Sequence, residues 1–334
     1  MESDSKIHYN FDKVLSYQSL INMIVGGRGI GKSYGAKKVV IDDFLKHGNQ
    51  FFYLRRYNTE LETTINSFFD NVSKEPSLKG HKFVVKGSKK GGHFYIDDKL
   101  AGFYGALTQY SYFKSGDYPD VRTLLFDEFM IEKGVLAYLP NEVNKVFNLI
   151  SSIKRERTDF RVLLLANAVS IINPYFAFWH ISDIRTGIQR FNHKSVLLDI
   201  PDLEAPSVKN KADQFNYAIK GTDYEEYASF NKFADNNNLL IKSLSKQSNF
   251  IFSIVIEGKP YGIYQEGTSW IVSKSYNPTG FQVTTDFNGK NDKNFIGKSQ
   301  LTIVQLIQMA KYNRLYFDNK FTRGELMVFL GSHL

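Results

Sequence analysis

Eight residues, Gly26-Gly27-Arg28-Gly29-Ile30-Gly31-Lys32-Ser33, limit what this chain can fold into more than any other stretch. They follow an apolar run (Leu20, Ile21, Met23, Ile24, Val25) and precede a helix-compatible segment from Ser33 to His47. Strand, glycine-rich bend and helix in that order make a phosphate-binding loop, because consecutive backbone N–H groups at the bend and the helix start face an anion. The spacing G-x-x-x-x-G-K-S adds a point charge at Lys32 for the β- and γ-phosphates and a hydroxyl at Ser33 for Mg²⁺. A bare string of this kind is weak. Flanked by strand and helix, it predicts a nucleotide site made by Gly26, Gly27, Arg28, Gly29, Ile30, Gly31, Lys32 and Ser33.

Hydrolysis needs a second element, and Thr123-Leu124-Leu125-Phe126-Asp127-Glu128 supplies it. Large apolar residues mark a buried parallel strand, and two acids stand at its carboxyl end, the end that faces ligands in open α/β sheets. Asp127 then serves the Mg²⁺ shell, and Glu128 polarises the attacking water. The plainer reading, a strand that stops at two solvated acids, loses ground beside the phosphate loop. A further apolar run, Arg161–Ala166, ends at Asn167, which is placed to sense the γ-phosphate; a simple strand-end turn is the alternative. Arg155-Glu156-Arg157 closes an amphipathic stretch, Asn141–Arg155. Cations there suit a helix C-terminus. The sharper reading is an arginine finger reaching a neighbouring subunit's γ-phosphate, Arg157 in preference to Arg155. Asn210-Lys211-Ala212-Asp213 fits the guanine-reading pattern but lacks a buried strand before it, so ATP is the expected nucleotide.

The 334 residues exceed one ordinary core and suggest two domains. The chain has no cysteine, which excludes disulfides and thiolate–zinc sites. No apolar run approaches the ~20 residues of a membrane span, and the polar Met1–Asn10 does not read as a signal peptide, so a cytosolic protein is expected. Residues 1–200 carry 27 Lys+Arg against 21 Asp+Glu, and the rest carry 15 against 13. The excess on the nucleotide-binding half suggests a polyanionic partner. Basic residues are densest from Lys74 to Lys99, with Lys89 and Lys90 inside the flexible loop Gly87–Gly92; solvated surface is the competing explanation.

Strand and helix patterns alternate through the first half. Gln50–Arg56 reads as a buried strand, Glu60–Ser73 as a helix, and Phe83–Lys86, His93–Asp97 and Leu100–Leu107 as strands. Thr108–Asp120 reads as a polar loop carrying Lys114. This alternation implies a mostly parallel sheet with helices on both sides. The expected boundaries are an ATPase domain at 1–197, a linker or small subdomain at 198–227, and an α+β domain at 228–334. In the last, Asn249–Ile256, Tyr261–Gln265 and Trp270–Tyr276 look like an antiparallel meander, followed by helices at Ser299–Asn313 and Thr322–Leu330.

Gly26–Ser33, Leu54-Arg55-Arg56-Tyr57, Leu125-Phe126-Asp127-Glu128-Phe129 and Ala166-Asn167-Ala168-Val169-Ser170, with Asn173-Pro174-Tyr175-Phe176, together resemble the DNA-packaging ATPases of phi-29-type tailed bacteriophages. The likeness reappears in Phe250–Val255 and Leu315–Asn319, and departs at Asn58, where a base is expected. It implies an ASCE-class P-loop ATPase domain followed by an RNase H-like domain. It implies a homopentameric ring on the portal of a procapsid, driving double-stranded DNA inward with ATP and Mg²⁺. Matched residue by residue, Lys32 and Ser33 are the Walker A pair, Asp127 and Glu128 the Walker B pair, and Arg157 the finger in trans. The resemblance implies that Lys114 falls in a loop near the ring pore; a motor of this kind would grip DNA phosphates through Lys114, with Lys89 and Lys90 as further contacts. A prohead RNA contact would lie in the C-terminal domain, and the protein would act in the host cytoplasm and be absent from the mature virion. Phe250–Ile256 lacks the carboxylate that an RNase H-like nuclease needs in the middle of its first strand; Glu257 comes only at the strand end, and Asp286 and Asp318 are scattered, so a non-cleaving docking module is expected. A cellular FtsK/HerA-type translocase shares the same motifs and is the runner-up; a nucleotide-driven switch without turnover is a third reading, and Glu128 separates it from a motor.

Overall fold

The computed structural model describes residues 9–88, 90–131, 137–181, 184–202, 218, 240–256, 258–284, 299–312 and 314–332. The chain divides into two compact units, Met1–Val169 with Arg185–Ala234, and Ser170–Ile184 with Asp235–Leu334.

In the first unit α1 (Asp12–Ser16) precedes β1 (Ile21–Gly26) and α2 (Lys32–His47). Then come β2 (Gln50–Arg55), α3 (Asn58–Thr64), β3 (Phe83–Ser88), β4 (Gly91–Ile96), β5 (Lys99–Ala106), α4 (Tyr110–Phe113) and β6 (Val121–Asp127). They are followed by α5 (Glu142–Lys154), β7 (Arg161–Asn167), β8 (Gly187–Phe191) and β9 (Val196–Ile200). The sheet order is β3-β4-β5-β2-β6-β7-β1-β9-β8. From β5 to β9 every neighbouring pair is parallel, while β3, β4 and β8 add antiparallel edges. β7 lies between the strand of the phosphate loop and the strand of the acidic pair, the additional strand that defines the ASCE class. Its residues, like those of β1 and β6, are nearly all buried, as a parallel strand covered on both faces requires.

Helix α2 buries Ala36, Val40, Ile41 and Phe44 at helical spacing in one core with Ile24, Leu125, Leu163 and Leu165. Each large apolar side chain so buried contributes about 1.5–3 kcal/mol. The helix stops at Gly48, whose left-handed backbone sends its N–H to the Phe44 carbonyl. On α5, Val146, Leu149, Ile150 and Ile153 are buried, and the helix packs against β6. Register then fixes the site. Gly26 pairs with Asn167, and Asp127 with Leu165, so three neighbouring strands deliver Gly26, Asn167 and Asp127 to one edge.

The structure corrects several sequence expectations. The helix expected over Glu60–Ser73 ends at Thr64 and gives way to turns. Phe68 and Phe69 are both buried, with ring centroids 4.3 Å from Phe94 and 4.8 Å from Phe83 respectively. These ring contacts reach β3 and β4 from a run of turns rather than from one helical face. The loop at Thr108–Asp120 contains α4, because Phe113 seats its ring on the backbone of the paired Gly91 and Gly105. β8 and β9 were not expected, and β9 carries the sheet to Ile200, beyond the boundary placed at 197. Ser170–Ile184 groups with the second unit. Apart from its first residues and Ala218, the expected linker at 198–227 lies outside the described residues.

The second unit contains α6 (Pro174–Phe178), β10 (Asn249–Ile256), β11 (Lys259–Glu266), β12 (Ser269–Ser273), β13 (Gln282–Thr284), α7 (Ser299–Lys311), β14 (Leu315–Phe317) and α8 (Lys320–Ser332). The meander β10-β11-β12 is antiparallel, with turns at Gly258 and Gly267 in the left-handed region. β13 pairs parallel with the first strand of the meander, the arrangement of the first four strands of an RNase H-like fold; β14 adds a parallel edge beside β12. Gly331 on α8 lies against the Asn173 carbonyl ahead of α6, so close that an added Cβ would come within 2.5 Å of it.

Candidate active site

The bend after β1 turns on Gly29 and Gly31, at φ 81° and 85°, a region open to glycine at little cost. It brings the Lys32 ammonium back over the loop. Nζ donates to the Gly26 carbonyl at 2.9 Å, the Gly27 carbonyl at 2.6 Å and Asn167 Oδ1 at 3.2 Å. Burial lowers the Lys32 pKa to about 8, against the opposing pull of Asp127 and Glu128. The Ile30 carbonyl accepts from the Tyr9 N–H at 2.8 Å, and the Tyr9 hydroxyl donates to Asp199 on β9, so the segment before α1 is tied to the loop.

Ser33 Oγ donates to Asp127 Oδ1 at 2.9 Å, joining the start of α2 to the end of β6. Two hard oxygen donors side by side fit Mg²⁺, which takes few protein ligands and completes its shell with water and phosphate. Among the described residues no group of three or more His, Cys, Asp or Glu could hold a metal alone. Tyr53 donates to Asp127 Oδ2 at 3.4 Å. Arg55 spans the acids, with NH2 2.6 Å from Glu128 Oε2 and 3.9 Å from Glu60, and NH1 3.6 Å from Asp127. Arg56, fully buried, reaches behind the same segment. Its Nε and NH2 donate to Glu142 at 2.8 and 2.9 Å, and NH1 and NH2 to the carbonyls of Glu128 and Phe129 at 3.0 and 2.5 Å. Glu128 itself has a left-handed backbone, φ 61°, and its side chain is half exposed.

These groups open on a cleft of about 560 Å³ lined by Arg28, Gly29, Gly31, Lys32, Ser33, Asp127, Glu128 and Asn167, with Tyr34, Asn71 and Ala166. The structure thus gathers most of the sequence-derived site; Ile30 is buried beneath it. Arg157 lies elsewhere. Its guanidinium donates to the carbonyls of Ile153 and of Pro119 (3.1 Å), and burial together with nearby Arg122 lowers its pKa. Arg155 is more exposed and pairs with exposed Asp117 at 3.1 Å. It ends α5 with a positive φ of 48°.

Of the expected DNA contacts, Lys89 lies outside the described residues. Lys90 and Lys114 flank one contact, since Phe113, next to Lys114, packs on Gly91, next to Lys90. Lys114 and Lys145 both sit 5.8 Å from the centre of the Tyr110 ring, beside highly exposed Tyr112. Sequence reasoning missed Lys145, Tyr53, Asn71 and the pairing of Arg55, Arg56 and Glu142. The signal for the last was present: two arginines ending a buried strand require anionic partners.

The model of the podovirus DNA encapsidation protein (Gp16) family matches residues 3–330. The DNA packaging protein of Bacillus phage PZA is 36% identical over 329 residues, 96% of each chain. The crystal structure of the N-terminal domain of the phi29 DNA packaging ATPase shares 42% identity, covers 58% of this chain and 96% of its own, and superposes with a TM-score of 0.53. A chain of the phi29 genome packaging motor assembly shares 33% identity over 98% of this chain and 100% of its own, with a TM-score of 0.65.

Proposed function

Because this chain belongs to the podovirus DNA encapsidation (Gp16) family and is a viral DNA-packaging motor subunit, we propose that it hydrolyses ATP in the cleft between β1, β6 and β7 and couples each cycle to movement of double-stranded DNA into a procapsid. The observation that carries this reading is the convergence of Lys32, Ser33, Asp127, Glu128 and Asn167 on one cleft. The loop amides and Lys32 bind the triphosphate, with Lys32 exchanging the Gly26 and Gly27 carbonyls for phosphate oxygens. Ser33 and Asp127 would hold Mg²⁺, which when bound neutralises charge on the β- and γ-phosphates. Glu128 orients water and takes its proton as the oxygen bonds to the γ-phosphorus; the bond to the β,γ-bridging oxygen breaks and ADP leaves. Arg55 holds one Glu128 oxygen. Asn167 accepts from Lys32, and in the proposed cycle it senses the γ-phosphate.

The subunits form a ring, a pentamer by family likeness, seated on the portal, in the host cytoplasm and absent from the mature virion. A prohead RNA contact falls to the second unit. The arginine finger comes from the turn after α5. Sequence reasoning favours Arg157; the docking of Arg157 on its own subunit's carbonyls favours the exposed Arg155 as the group that crosses to the neighbour, with Arg157 holding the turn. Lys90, Lys114 and Lys145 bind DNA phosphates, contacts blind to sequence, as a motor for any genome requires. The second unit docks rather than cuts, since β10 bears no carboxylate and Asp318 is engaged by Ser273 and Asn319. Glu257 and Asp286 lie outside the described residues.

Glu128→Gln tests the reading. It keeps the shape of the side chain and removes the base, so turnover falls about 10²–10⁴-fold while ATP binding persists. DNA-stimulated turnover at the parental rate would overturn it.

A further inference from the structure

Arg56 is the largest fully buried side chain among the described residues, and the chemistry above makes no use of it. Its partner Glu142 is buried as well and also accepts the Leu139 N–H at 2.8 Å, which fixes the entry to α5. Aromatic rings cover the guanidinium, with Phe126 and Tyr138 centred 5.5 and 5.2 Å away. A buried ion pair of this kind is weak grounds for stability, because a well-packed apolar pair often replaces it without loss. Its distinctive product lies in two further bonds. Arg56 holds the carbonyls of Glu128 and Phe129, the two residues immediately after Asp127. The Phe129 N–H is held too, by the Leu165 carbonyl at 3.0 Å. Glu128 is therefore pinned between β6 and a fixed Phe129, in a left-handed conformation that a non-glycine residue adopts reluctantly. The adjacent Arg55 takes its carboxylate. Two consecutive arginines thus hold one glutamate, one by its half-exposed head and the other by its backbone carbonyl.

We propose that Arg56, braced by Glu142, is a positioning residue for ATP hydrolysis: it fixes the backbone of Glu128 and so sets where that carboxylate meets the attacking water. The inference rests on the reading of Glu128 as the group that activates water. A planar guanidinium with five donors can serve two carboxylate oxygens and two carbonyls at once; a lysine, with a single nitrogen, cannot. Displacing a base by about 1 Å costs about 100-fold in rate without weakening substrate binding.

The test uses the full-length protein in two forms, Arg56→Lys and the apolar pair Arg56→Met/Glu142→Leu. Thermal unfolding, affinity for a nonhydrolysable ATP analogue with Mg²⁺, kcat and KM are measured for each. The expected result is folded protein, parental analogue affinity and KM, and kcat reduced about 100-fold. Glu128→Gln is then added to each background. If Arg56 acts through Glu128, the added change costs far less there than in the parental protein, because both act on one step. A scaffold role would lower thermal stability and leave kcat per folded molecule and the full cost of Glu128→Gln intact, which overturns the proposal. Loss of folding in both forms assigns the pair to the scaffold and overturns it too. If Glu128→Gln alone leaves turnover unchanged, the reading of Glu128 fails, and that outcome is distinct from parental kcat in the Arg56 variants.

Discussion

Raising the pH from about 7 to about 9.5 removes most of the Lys32 charge that the phosphate loop presents to a triphosphate. Burial lowers the Lys32 pKa from 10.5 to about 8, although Asp127 and Glu128 oppose the shift. Such a displacement corresponds to about 3 kcal/mol of preference for the neutral amine. In the nucleotide-free protein the folded state binds fewer protons than the unfolded state between about pH 8 and 10.5. The Lys32 contribution to stability therefore rises with pH through that window, and below it the cost of the buried cation is fully present. A triphosphate beside the ammonium favours the charged form and lifts the pKa again. Binding then takes up a proton in the same window, and affinity falls about tenfold per pH unit above about pH 8. Phosphate itself titrates near pH ~6 and adds no slope there. Titration calorimetry with a nonhydrolysable ATP analogue and Mg²⁺, in two buffers of different ionisation heat, reads both affinity and proton uptake. Lys32→Met should bind weakly and without the slope. Affinity that stays flat above pH 8 in the parental protein, or a slope that survives in Lys32→Met, refutes the reasoning.

Three further outcomes are expected. Arg155→Ala should lower turnover about 10³-fold or more and be complemented when mixed with Lys32→Ala subunits, whereas Arg157→Ala should act through thermal stability; absence of complementation removes the support for a shared site. Gly105→Ala places a Cβ 2.3 Å from the Phe113 ring, a crowding worth about 1–3 kcal/mol, and should reduce DNA-stimulated ATPase while DNA-free ATPase holds. Lys114→Ala and Lys145→Ala should each reduce the slope of log affinity for duplex DNA against log salt by about 1, measured by anisotropy, and unchanged slopes would move the DNA contact elsewhere.

The phosphate loop, the acidic strand and Asn167 were legible because their signals are local: spacing at a bend, an apolar run, and the residue type at its end. Boundaries of β2, α5 and β7 followed from periodicity to within a residue or so. What stayed hidden depends on distant partners. Arg55 and Arg56 find acids 73 and 86 positions away, and no local pattern pairs them. The turns that carry Phe68 and Phe69 escaped because the ring partners of these residues come from β2, β3 and β4, beyond any short window. β8 and β9 escaped because both are short and interrupted by Asn192, His193 and Lys194, three residues at positive φ that polar composition alone presents as loop. Lys145 reads as the solvated face of a helix until the fold sets it against Tyr110.

The structure of this protein with Mg²⁺ and a nonhydrolysable ATP analogue tests the account at its centre. It should show the Lys32 ammonium transferred from the Gly26 and Gly27 carbonyls to the β- and γ-phosphates, the Ser33 and Asp127 oxygens parted around the metal, and Glu128 facing a water in line with the γ-phosphorus. An analogue bound away from the loop, or Lys32 still on its carbonyls with the Ser33–Asp127 bond intact, would contradict it.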